Sequence, residues 1–221
     1  MKTCHRELVD RFLTRHREWM RGDVLDIGGK RDQKRGDFRP PESGVSSWKY
    51  LNTDADTAPD YCCSADDVPL PDDVVDTFLL CEVVEHLEHP EAVLAEARRV
   101  LKPGGTGIIT VPFLYPVHAD PHDYQRWTDT KLRRTLTGLG FEVVELSNLG
   151  GTYAVVLDLL QARLSDVVVR NPTLARAGRA LVRIARALRG SRVWEGHARI
   201  TTGYGLIVRK PAAGKICPDD G

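Results

Sequence analysis

Short apolar runs recur along the chain, and most of them end at or near a glycine or an acidic residue. Such runs are typical of buried strands, because a strand that is covered on both faces needs no alternation with polar residues. Strands are therefore predicted at residues 23–27, 48–53, 60–65, 75–81, 106–111, 141–146 and 200–208.

Apolar residues spaced three and four positions apart predict helices between several of these strands. An N-terminal helix has one apolar stripe that includes Leu8, Phe12 and Trp19. A second helix, with proline and glutamate in its first turn, ends before the Lys-Pro-Gly-Gly run at 102–105, and a third covers 128–138. The predicted fold class is α/β: a Rossmann-like seven-stranded, mainly parallel sheet with helices on both faces and a helical insertion before the last strand.

Neither an internal repeat nor a linker divides the sequence, so a single domain is predicted over residues 1–221. Its predicted parts are an N-terminal helix at 1–21, a core at 22–148, the helical insertion at 150–199 and the last strand at 200–210. This length is sufficient for one α/β domain with an embellishment.

The insertion contains two segments of different character. Residues 153–160 are nearly all apolar and are predicted to be buried. Residues 172–190 place apolar side chains on one helical face and five arginines on the other, which predicts a basic amphipathic helix. Three interpretations of this helix stay open: a cover with solvated arginines, a peripheral contact with an anionic membrane, or a homodimer interface.

Charge and cysteine content narrow the functional classes. Lys and Arg total 31, as do Asp and Glu, so no overall field favours nucleic acid and no nucleic-acid partner is expected. The five cysteines lack metal-ligand spacing and are predicted to be reduced thiols. Because the sequence lacks a signal-peptide pattern and an apolar stretch of about 20 residues, a cytoplasmic protein is expected.

Glycines and acids follow the first two predicted strands, where an open parallel sheet binds its ligands. Gly28 and Gly29 let a ligand approach the backbone, and Asp26 can accept a hydrogen bond from an ammonium group. Asp54 ends the second strand, where a carboxylate can accept both hydroxyls of a ribose. The run lacks the G-x-G-x-x-G pattern that cradles a pyrophosphate, which favours a ligand without phosphates over a nicotinamide cofactor.

Three further runs of sequence indicate a function more specifically than these glycines and acids do. They are Cys-Ser-Ala-Asp-Asp-Val-Pro-Leu-Pro at 63–71, the strand and Glu-Val-Val-Glu-His-Leu at 75–87, and Val-Leu-Lys-Pro-Gly-Gly at 100–105. In this order and spacing they resemble the UbiE/UbiG-like (methyltransferase type 11) group of class I S-adenosylmethionine (SAM)-dependent methyltransferases, over about residues 22–148. The resemblance implies the Rossmann-like fold, SAM as cofactor and a small molecule as methyl acceptor.

The same resemblance assigns the first two strand ends to the cofactor. Asp26, Gly28 and Gly29 would line the methionine end of SAM, and Asp54 would hold the ribose hydroxyls. The first loop has fewer glycines than the usual D-x-G-x-G-x-G of this group.

The next two strand ends complete the implied cofactor site. The loop of Ser64, Ala65 and Asp66 would meet the adenine, and Cys81 and Glu82 would close over the cofactor. Ser64 stands at the position that often carries the adenine-contacting acid, so Asp66 or the Ala65 backbone would substitute for it.

The loop at 111–128 follows the fifth predicted strand and therefore lies on the ligand side of the sheet. It concentrates histidines, aspartates, tyrosines, an arginine and a tryptophan, as loops that serve a site often do. We predict that His118, His122 and Asp123 are catalytic, with one histidine as the general base for an oxygen or nitrogen acceptor.

Two other interpretations of this loop stay open. The H-x-D-x-H-D spacing of 118–123 could supply metal ligands, although no resident metal is expected, and the histidines with Arg126 could brace the loop. His86, after the fourth predicted strand, is a further candidate for either a catalytic role or a loop anchor.

The sequence thus predicts a SAM-dependent methyltransferase that modifies an oxygen or nitrogen of a small-molecule biosynthetic intermediate, such as a sugar or a lipid-linked saccharide. The alternative is a non-catalytic module that binds SAM or a nucleotide and acts as a protein partner. The histidine-rich loop favours the enzyme, because a binding module has no need of it.

Overall fold

A computed structural model describes residues 2–32, 36–118, 122–168 and 199–212, together with Arg176, Gly178 and Ala180. Its strands are β1 (Gly22–Ile27), β2 (Val45–Asn52), β3 (Tyr61–Cys62), β4 (Val75–Cys81), β5 (Leu101–Pro112), β6 (Glu142–Leu149) and β7 (Gly203–Arg209). Its helices are α1 (Cys4–Arg15), α2 (Pro90–Val100), α3 (Asp129–Gly138) and α4 (Thr152–Val168).

The seven strands form one sheet in the order β3-β2-β1-β4-β5-β7-β6. The first five strands in the chain run parallel, whereas β7 lies antiparallel between β5 and β6. The predicted fold class is therefore confirmed. The strand order reverses at β1 and β4, and this switch point is where open α/β sheets bind ligands.

Two apolar clusters cover the two faces of the sheet. On one face, Phe78 and Leu80 pack with residues of α2 and α3. On the other face, Val24, Leu79 and Ile207 pack with residues of α1 and α4. The sheet is thus buried on both sides, which explains why its strands are continuous apolar runs.

The start of β5 differs from the prediction, because the strand begins at Leu101, directly after α2. The Lys-Pro-Gly-Gly run was expected to separate the helix from the strand, but its glycines pair with the chain beyond β7. Gly104 donates a backbone hydrogen bond to the carbonyl of Lys210, and Lys210 donates one to the carbonyl of Gly105. A register shift opposite β4 accommodates the extra residues.

Helix α4 corrects the prediction that residues 153–160 are buried throughout. Ala154, Val155 and Leu157 are buried, but Leu159 and Leu160 are about half exposed, at 50% and 49%. The helix packs on the rest of the protein with only one face, so a continuous apolar run on it cannot be buried in full.

Asp158 lies on the buried face of α4 and fixes the start of α1. Its carboxylate accepts backbone hydrogen bonds from Cys4 at 2.6 Å and from His5 at 2.8 Å. These two N–H groups have no partner within the helix, so Asp158 satisfies them in a buried position. The contact fastens the first turn of α1 to α4 on the same face of the sheet.

Some expectations concern residues that lie outside the described part of the chain. The predicted basic helix at 172–190 is represented by three residues, which are helical, and Arg176 is exposed there. Cys217 also lies outside, whereas the other four cysteines are free thiols, as predicted. Across the described part of the chain, no helix has the length and apolar character required to span a membrane.

Candidate functional site

A cavity of about 760 Å³ opens at the carboxyl ends of β1, β2 and β4. It is lined by eight of the nine predicted cofactor residues and by the predicted catalytic residue His118. The eight are Asp26, Gly28, Gly29, Asp54, Ser64, Ala65, Cys81 and Glu82. Asp66 is exposed and is not among the described residues that line the cavity, because the loop turns after Ala65.

The turn after β1 requires both of its glycines. Gly28 has a φ of +77°, and a Cβ on it would lie 2.6 Å from Cγ2 of Val83. A Cβ on Gly29 would lie 2.3 Å from the carboxyl carbon of Asp26. Two amide hydrogen bonds from Asn52, each 3.2 Å long, hold the Gly28 and Gly29 carbonyls. The turn thus keeps its backbone close to the Asp26 carboxylate.

Asp26 and Asp54, the two acids near the ends of β1 and β2, differ in their surroundings. Asp26 accepts a hydrogen bond from the indole N–H of Trp48 at 3.3 Å. Asp54 is exposed, and one of its oxygens accepts the backbone N–H of Asp56 at 3.0 Å, which starts a short 3-10 helix. Asp54 is therefore held in place by its own turn, while its carboxylate borders the cavity.

Glu82 closes the end of β4 in a strained conformation, with a φ of +58°. Its Oε2 atom lies 2.5 Å from Nε2 of His5, and Nδ1 of the same ring lies 2.9 Å from the hydroxyl of Thr202. That hydroxyl donates to the carbonyl of Leu149, so it accepts the proton of Nδ1. Burial by itself raises the pKa of Glu82, but the charge of His5 and its hydrogen bond outweigh burial and lower the pKa to about 2.

Cys81 also lines the cavity, next to Glu82. Burial raises the pKa of its thiol, and the nearby carboxylates of Asp26 and Glu82 raise it further. The residue is therefore a neutral thiol in the wall of the cavity and a poor nucleophile.

Glu85, His86 and His118 form a cluster, and both histidines line the cavity. Oε1 of Glu85 lies 3.5 Å from Nε2 of His86 and 3.7 Å from Nε2 of His118. Burial raises the pKa of Glu85 to about 9, and the charge of Glu82 adds to this effect. Burial also lowers the pKa of His118, which keeps its ring neutral near pH 7.

The loop that carries His118 is fastened to the segment after β4. His86 donates from Nδ1 to the carbonyl of His122 at 2.5 Å, and the backbone N–H of Tyr124 donates to the carbonyl of Glu85 at 2.8 Å. The amide of Gln125 donates to the carbonyl of Leu87 at 2.8 Å. His86 is thus a loop anchor through Nδ1, while Nε2 stays available to the cavity.

The other two predicted catalytic residues have different positions from His118. The ring of His122 is exposed and packs near Tyr124. Asp123 has 3% side-chain exposure and forms an ion pair with Arg126, which lowers the pKa of Asp123 to about 2. Asp123 also accepts the backbone N–H of His118 at 2.9 Å. Neither residue is among the described residues that line the cavity.

Sequence reasoning missed the contribution of α1 to the site. Arg6, Asp10 and Leu13 of this helix line the cavity, and His5 pairs with Glu82. The apolar stripe of α1 predicted that the helix packs on the protein core. A single stripe does not indicate which part of the sheet the helix covers. Glu85 was missed as well, because its position behind the two histidines depends on contacts between distant segments.

Parts of the sequence are similar to known methyltransferases. A methyltransferase domain family matches residues 43–109. The chain is 33% identical over 82 residues to the mitochondrial 2-methoxy-6-polyprenyl-1,4-benzoquinol methylase of Caenorhabditis elegans. The aligned segment covers 37% of this chain and 24% of that protein. It is 44% identical over 43 residues to the ubiquinone/menaquinone biosynthesis C-methyltransferase UbiE of Cupriavidus taiwanensis, or 20% of this chain and 18% of that protein. The matches thus span a quarter or less of each relative.

Solved structures share the fold over nearly the whole chain. A SAM-dependent methyltransferase from Archaeoglobus fulgidus has a TM-score of 0.55 at 19% identity and covers 93% of this chain and 94% of its own. The N-methyltransferase 2 of Haemonchus contortus that acts on phosphorylated ethanolamines, solved with S-adenosylhomocysteine, has a TM-score of 0.54 at 14% identity. It covers 91% of this chain and 53% of its own.

The seven-stranded fold is shared with a solved SAM-dependent methyltransferase. The domain match and the two sequence relatives are all methyltransferases, and each is similar to part of this chain.

Proposed function

We propose that this protein transfers a methyl group from SAM to an oxygen or nitrogen atom of a small-molecule biosynthetic intermediate. The observation that carries the proposal is the composition of one cavity, which is lined by Asp26, Asp54 and Glu82 and also by His86 and His118. A donor and an acceptor bound in the same cavity would meet without crossing solvent. Such positioning is the main contribution an enzyme makes to this reaction.

The cavity lining at the ends of β1 and β2 fits SAM on the geometry of the chain itself. The space that a Cβ on Gly29 would fill lies beside the Asp26 carboxylate, which can accept a hydrogen bond from the ammonium group of the methionine part. The Asp54 carboxylate borders the cavity at the end of β2, where it can accept from ribose hydroxyls. When bound, SAM supplies a methyl group on a positively charged sulfur, so the donor itself needs little further activation.

Two carboxylates that line the cavity are held in place by partners within the protein. Glu82 is ion-paired with His5 and buried, with 6% side-chain exposure. Asp26 receives the hydrogen bond from Trp48. Each is thereby oriented by a partner before any ligand binds, which is the preorganisation that binding sites require.

The cavity offers His118 as the residue to handle the acceptor's proton. Its Nδ1 lies 3.3 Å from the carbonyl of Pro116 and therefore carries the ring proton, which leaves a lone pair on Nε2. His122 and Asp123 support this loop in our proposal, through the His122 carbonyl and the Asp123–Arg126 pair. Only His118 of the three predicted catalytic residues is then in contact with the acceptor.

The identity of the acceptor does not carry over from the sequence relatives. Their printed names refer to quinone biosynthesis and, for the bacterial protein, to C-methylation. The domain match ends at residue 109, before the loop that contains His118. The loop that would contact the acceptor through His118 therefore lies outside that match, and we base the oxygen or nitrogen acceptor on the histidines.

Transfer of a labelled methyl group tests the proposal. The protein is incubated with SAM labelled at its methyl group and with a panel of sugars, phenols and amines, beside a small-molecule extract of bacterial cells. We expect S-adenosylhomocysteine and a labelled product to form, His118→Gln to slow transfer, and His122→Gln to transfer at nearly the rate of the unmodified protein. SAM binding without transfer to any compound would favour a non-catalytic SAM-binding module.

A further inference from the structure

Glu85, His86 and His118 bring three potential metal ligands together beside the cavity. One ligand atom from each residue can be chosen so that all three lie within 4.8 Å of one another. We propose that these residues bind a divalent transition-metal ion such as Zn²⁺, through Nε2 of both histidines and the carboxylate of Glu85. The sequence had suggested no resident metal, and its alternative ligand set was a different one.

The separations of the ligand atoms fit a metal better than direct hydrogen bonds. Glu85 Oε1 is 3.5 Å from Nε2 of His86 and 3.7 Å from Nε2 of His118, beyond the range of good hydrogen bonds. Zinc bonds of about 2.0–2.1 Å in a tetrahedral arrangement place neighbouring ligand atoms about 3.3–3.5 Å apart. A small decrease in these two distances would therefore suffice for the carboxylate and the histidines to coordinate one ion.

His86 and His118 can both present Nε2 to a metal ion. Nδ1 of His86 donates to the carbonyl of His122 at 2.5 Å, and Nδ1 of His118 donates to the carbonyl of Pro116 at 3.3 Å. These bonds place the proton of each neutral ring on Nδ1 and leave a lone pair on Nε2. Backbone carbonyls orient metal-binding histidines in the same way in known sites.

The Glu85 carboxyl supplies an independent indication of a ligand. Glu85 has 2% exposure, and both of its carboxyl oxygens are buried without a hydrogen-bond partner among the described residues. A buried polar group without a partner is costly, and native proteins retain few of them. A cation between Glu85 and the two histidines would satisfy this carboxylate.

The neighbouring charges are compatible with such an ion. The nearby Arg126 is neutralised by its ion pair with Asp123, which removes an unbalanced positive charge from the surroundings of the cluster. The same ion pair argues against the H-x-D-x-H-D ligand set, because Asp123 is occupied and the His122 ring is exposed. Asp120 of that set lies outside the described residues.

The site would be open toward the cavity. The side chains of His86 and His118 are 14% and 29% exposed and both line the cavity, whereas Glu85 lies behind them. Three protein ligands with an open fourth position are typical of catalytic rather than structural zinc. If the proposed methyl transfer is correct, this position would bind an acceptor hydroxyl and lower its pKa, so that the hydroxyl loses its proton to solvent. Nε2 of His118 would then act through the metal ion and not as the direct base.

Cobalt titration tests the metal site without reference to activity. The full chain, freed of any affinity tag and stripped with a chelator, is titrated with Co²⁺ and followed by visible absorption, and with Zn²⁺ by calorimetry. We expect one ion per chain, with cobalt bands that Zn²⁺ displaces. Glu85→Gln and His118→Gln should each weaken binding by more than the roughly 10–100-fold that loss of an outer-shell partner causes.

His122→Gln is the matched control, because it removes a neighbouring histidine ring but keeps the backbone carbonyl that holds His86. It should bind cobalt like the unmodified protein. Circular dichroism and thermal unfolding verify that each variant is folded, and the more exposed His118 keeps the test valid if Glu85→Gln does not fold. Absence of cobalt bands in the unmodified protein, or equal binding by His118→Gln, would overturn the proposal.

A parallel SAM titration separates this proposal from the proposed function. SAM binding by a protein that binds no cobalt would remove the metal and leave the methyltransferase. Cobalt binding by a protein that does not bind SAM would support the metal site and contradict the methyltransferase.

Discussion

Nε2 of His5, in the first turn of α1, lies 2.5 Å from Oε2 of Glu82, at the end of β4. The two residues are 77 positions apart in the chain, so the contact fastens the N-terminal helix beside the cavity. The contact also orients Glu82, whose positive φ strains the turn after β4. The pair therefore links the stability of the fold to the shape of the site.

The pair predicts a coupled loss of stability. Glu82→Gln leaves the charge of His5 buried, and His5→Gln leaves that of Glu82 buried, so each should lower the free energy of unfolding by about 3 kcal/mol. The double variant should lose clearly less than the sum of the two, as residues in direct contact do. Urea unfolding followed by tryptophan fluorescence measures this, and additive losses would show that the pair does not interact.

The same pair predicts a pH dependence. The pKa of Glu82 is about 2 in the folded protein, below its ordinary value of 4.5. A carboxyl whose pKa is lowered by folding contributes stability above its unfolded pKa and loses that contribution as the pH falls toward the folded value. The difference in unfolding free energy between the unmodified protein and Glu82→Gln should therefore shrink between pH 4.5 and about 2.

This measurement needs a control for the general effect of acid. Glu88→Gln, at an exposed glutamate, provides it. A difference that stays constant over the acid window would contradict the assigned pKa.

The glycine turn predicts a selective loss of cofactor binding. Gly29→Ala places a Cβ 2.3 Å from the carboxyl carbon of Asp26, so the carboxylate must move away from the cavity. We expect SAM to bind at least about tenfold more weakly, a cost of roughly 1.4 kcal/mol. In Gly138→Ala the added Cβ meets nothing within 4 Å, and its affinity should be unchanged. Equal affinities for both variants would remove Asp26 from the site.

The Asp123–Arg126 ion pair predicts a protected loop. Asp123→Asn removes the charge that holds Arg126 and weakens the acceptor for the His118 backbone N–H. Trypsin should then cut after Arg126 several-fold faster than in the unmodified protein. Asp129→Asn, at an exposed aspartate nearby, should leave cleavage unchanged. If Asp123→Asn abolished methyl transfer without accelerating cleavage, Asp123 would be catalytic, as the sequence alone suggested.

Much of the fold was predictable because burial on both faces gives strands a distinctive composition. The run 75–81 matched β4 residue for residue, and the end of β1 at Ile27 was placed correctly before its glycines. The start of β5 was not predictable, because Gly104 and Gly105 usually end a helix and only their pairing with Lys210 makes them part of a strand region. The half-exposed residues of α4 were missed for a similar reason: composition does not report which face finds a partner.

The residues that line the cavity at the ends of β1 and β2 were more predictable than the cluster of Glu85, His86 and His118. Asp26 and Gly28 lie at the end of β1, and Asp54 comes two residues after β2, so the topology of the sheet places them together. Glu85 and His118 come from segments that are joined only by the tertiary structure, and the charge state of each depends on burial that the sequence does not show. His5 belongs to this second kind, since nothing local predicts its contact with Glu82.

Calorimetric titration with SAM tests the central claim most directly. Asp54→Asn removes the charge at the end of β2 but keeps an oxygen for the N–H of Asp56, and Asp56→Asn is the matched control at an exposed neighbour. We predict micromolar binding of SAM and S-adenosylhomocysteine, at least about tenfold weaker binding by Asp54→Asn, unchanged binding by Asp56→Asn and no binding of NADH. Failure to bind SAM at millimolar concentration, or binding of NADH in its place, would contradict the account.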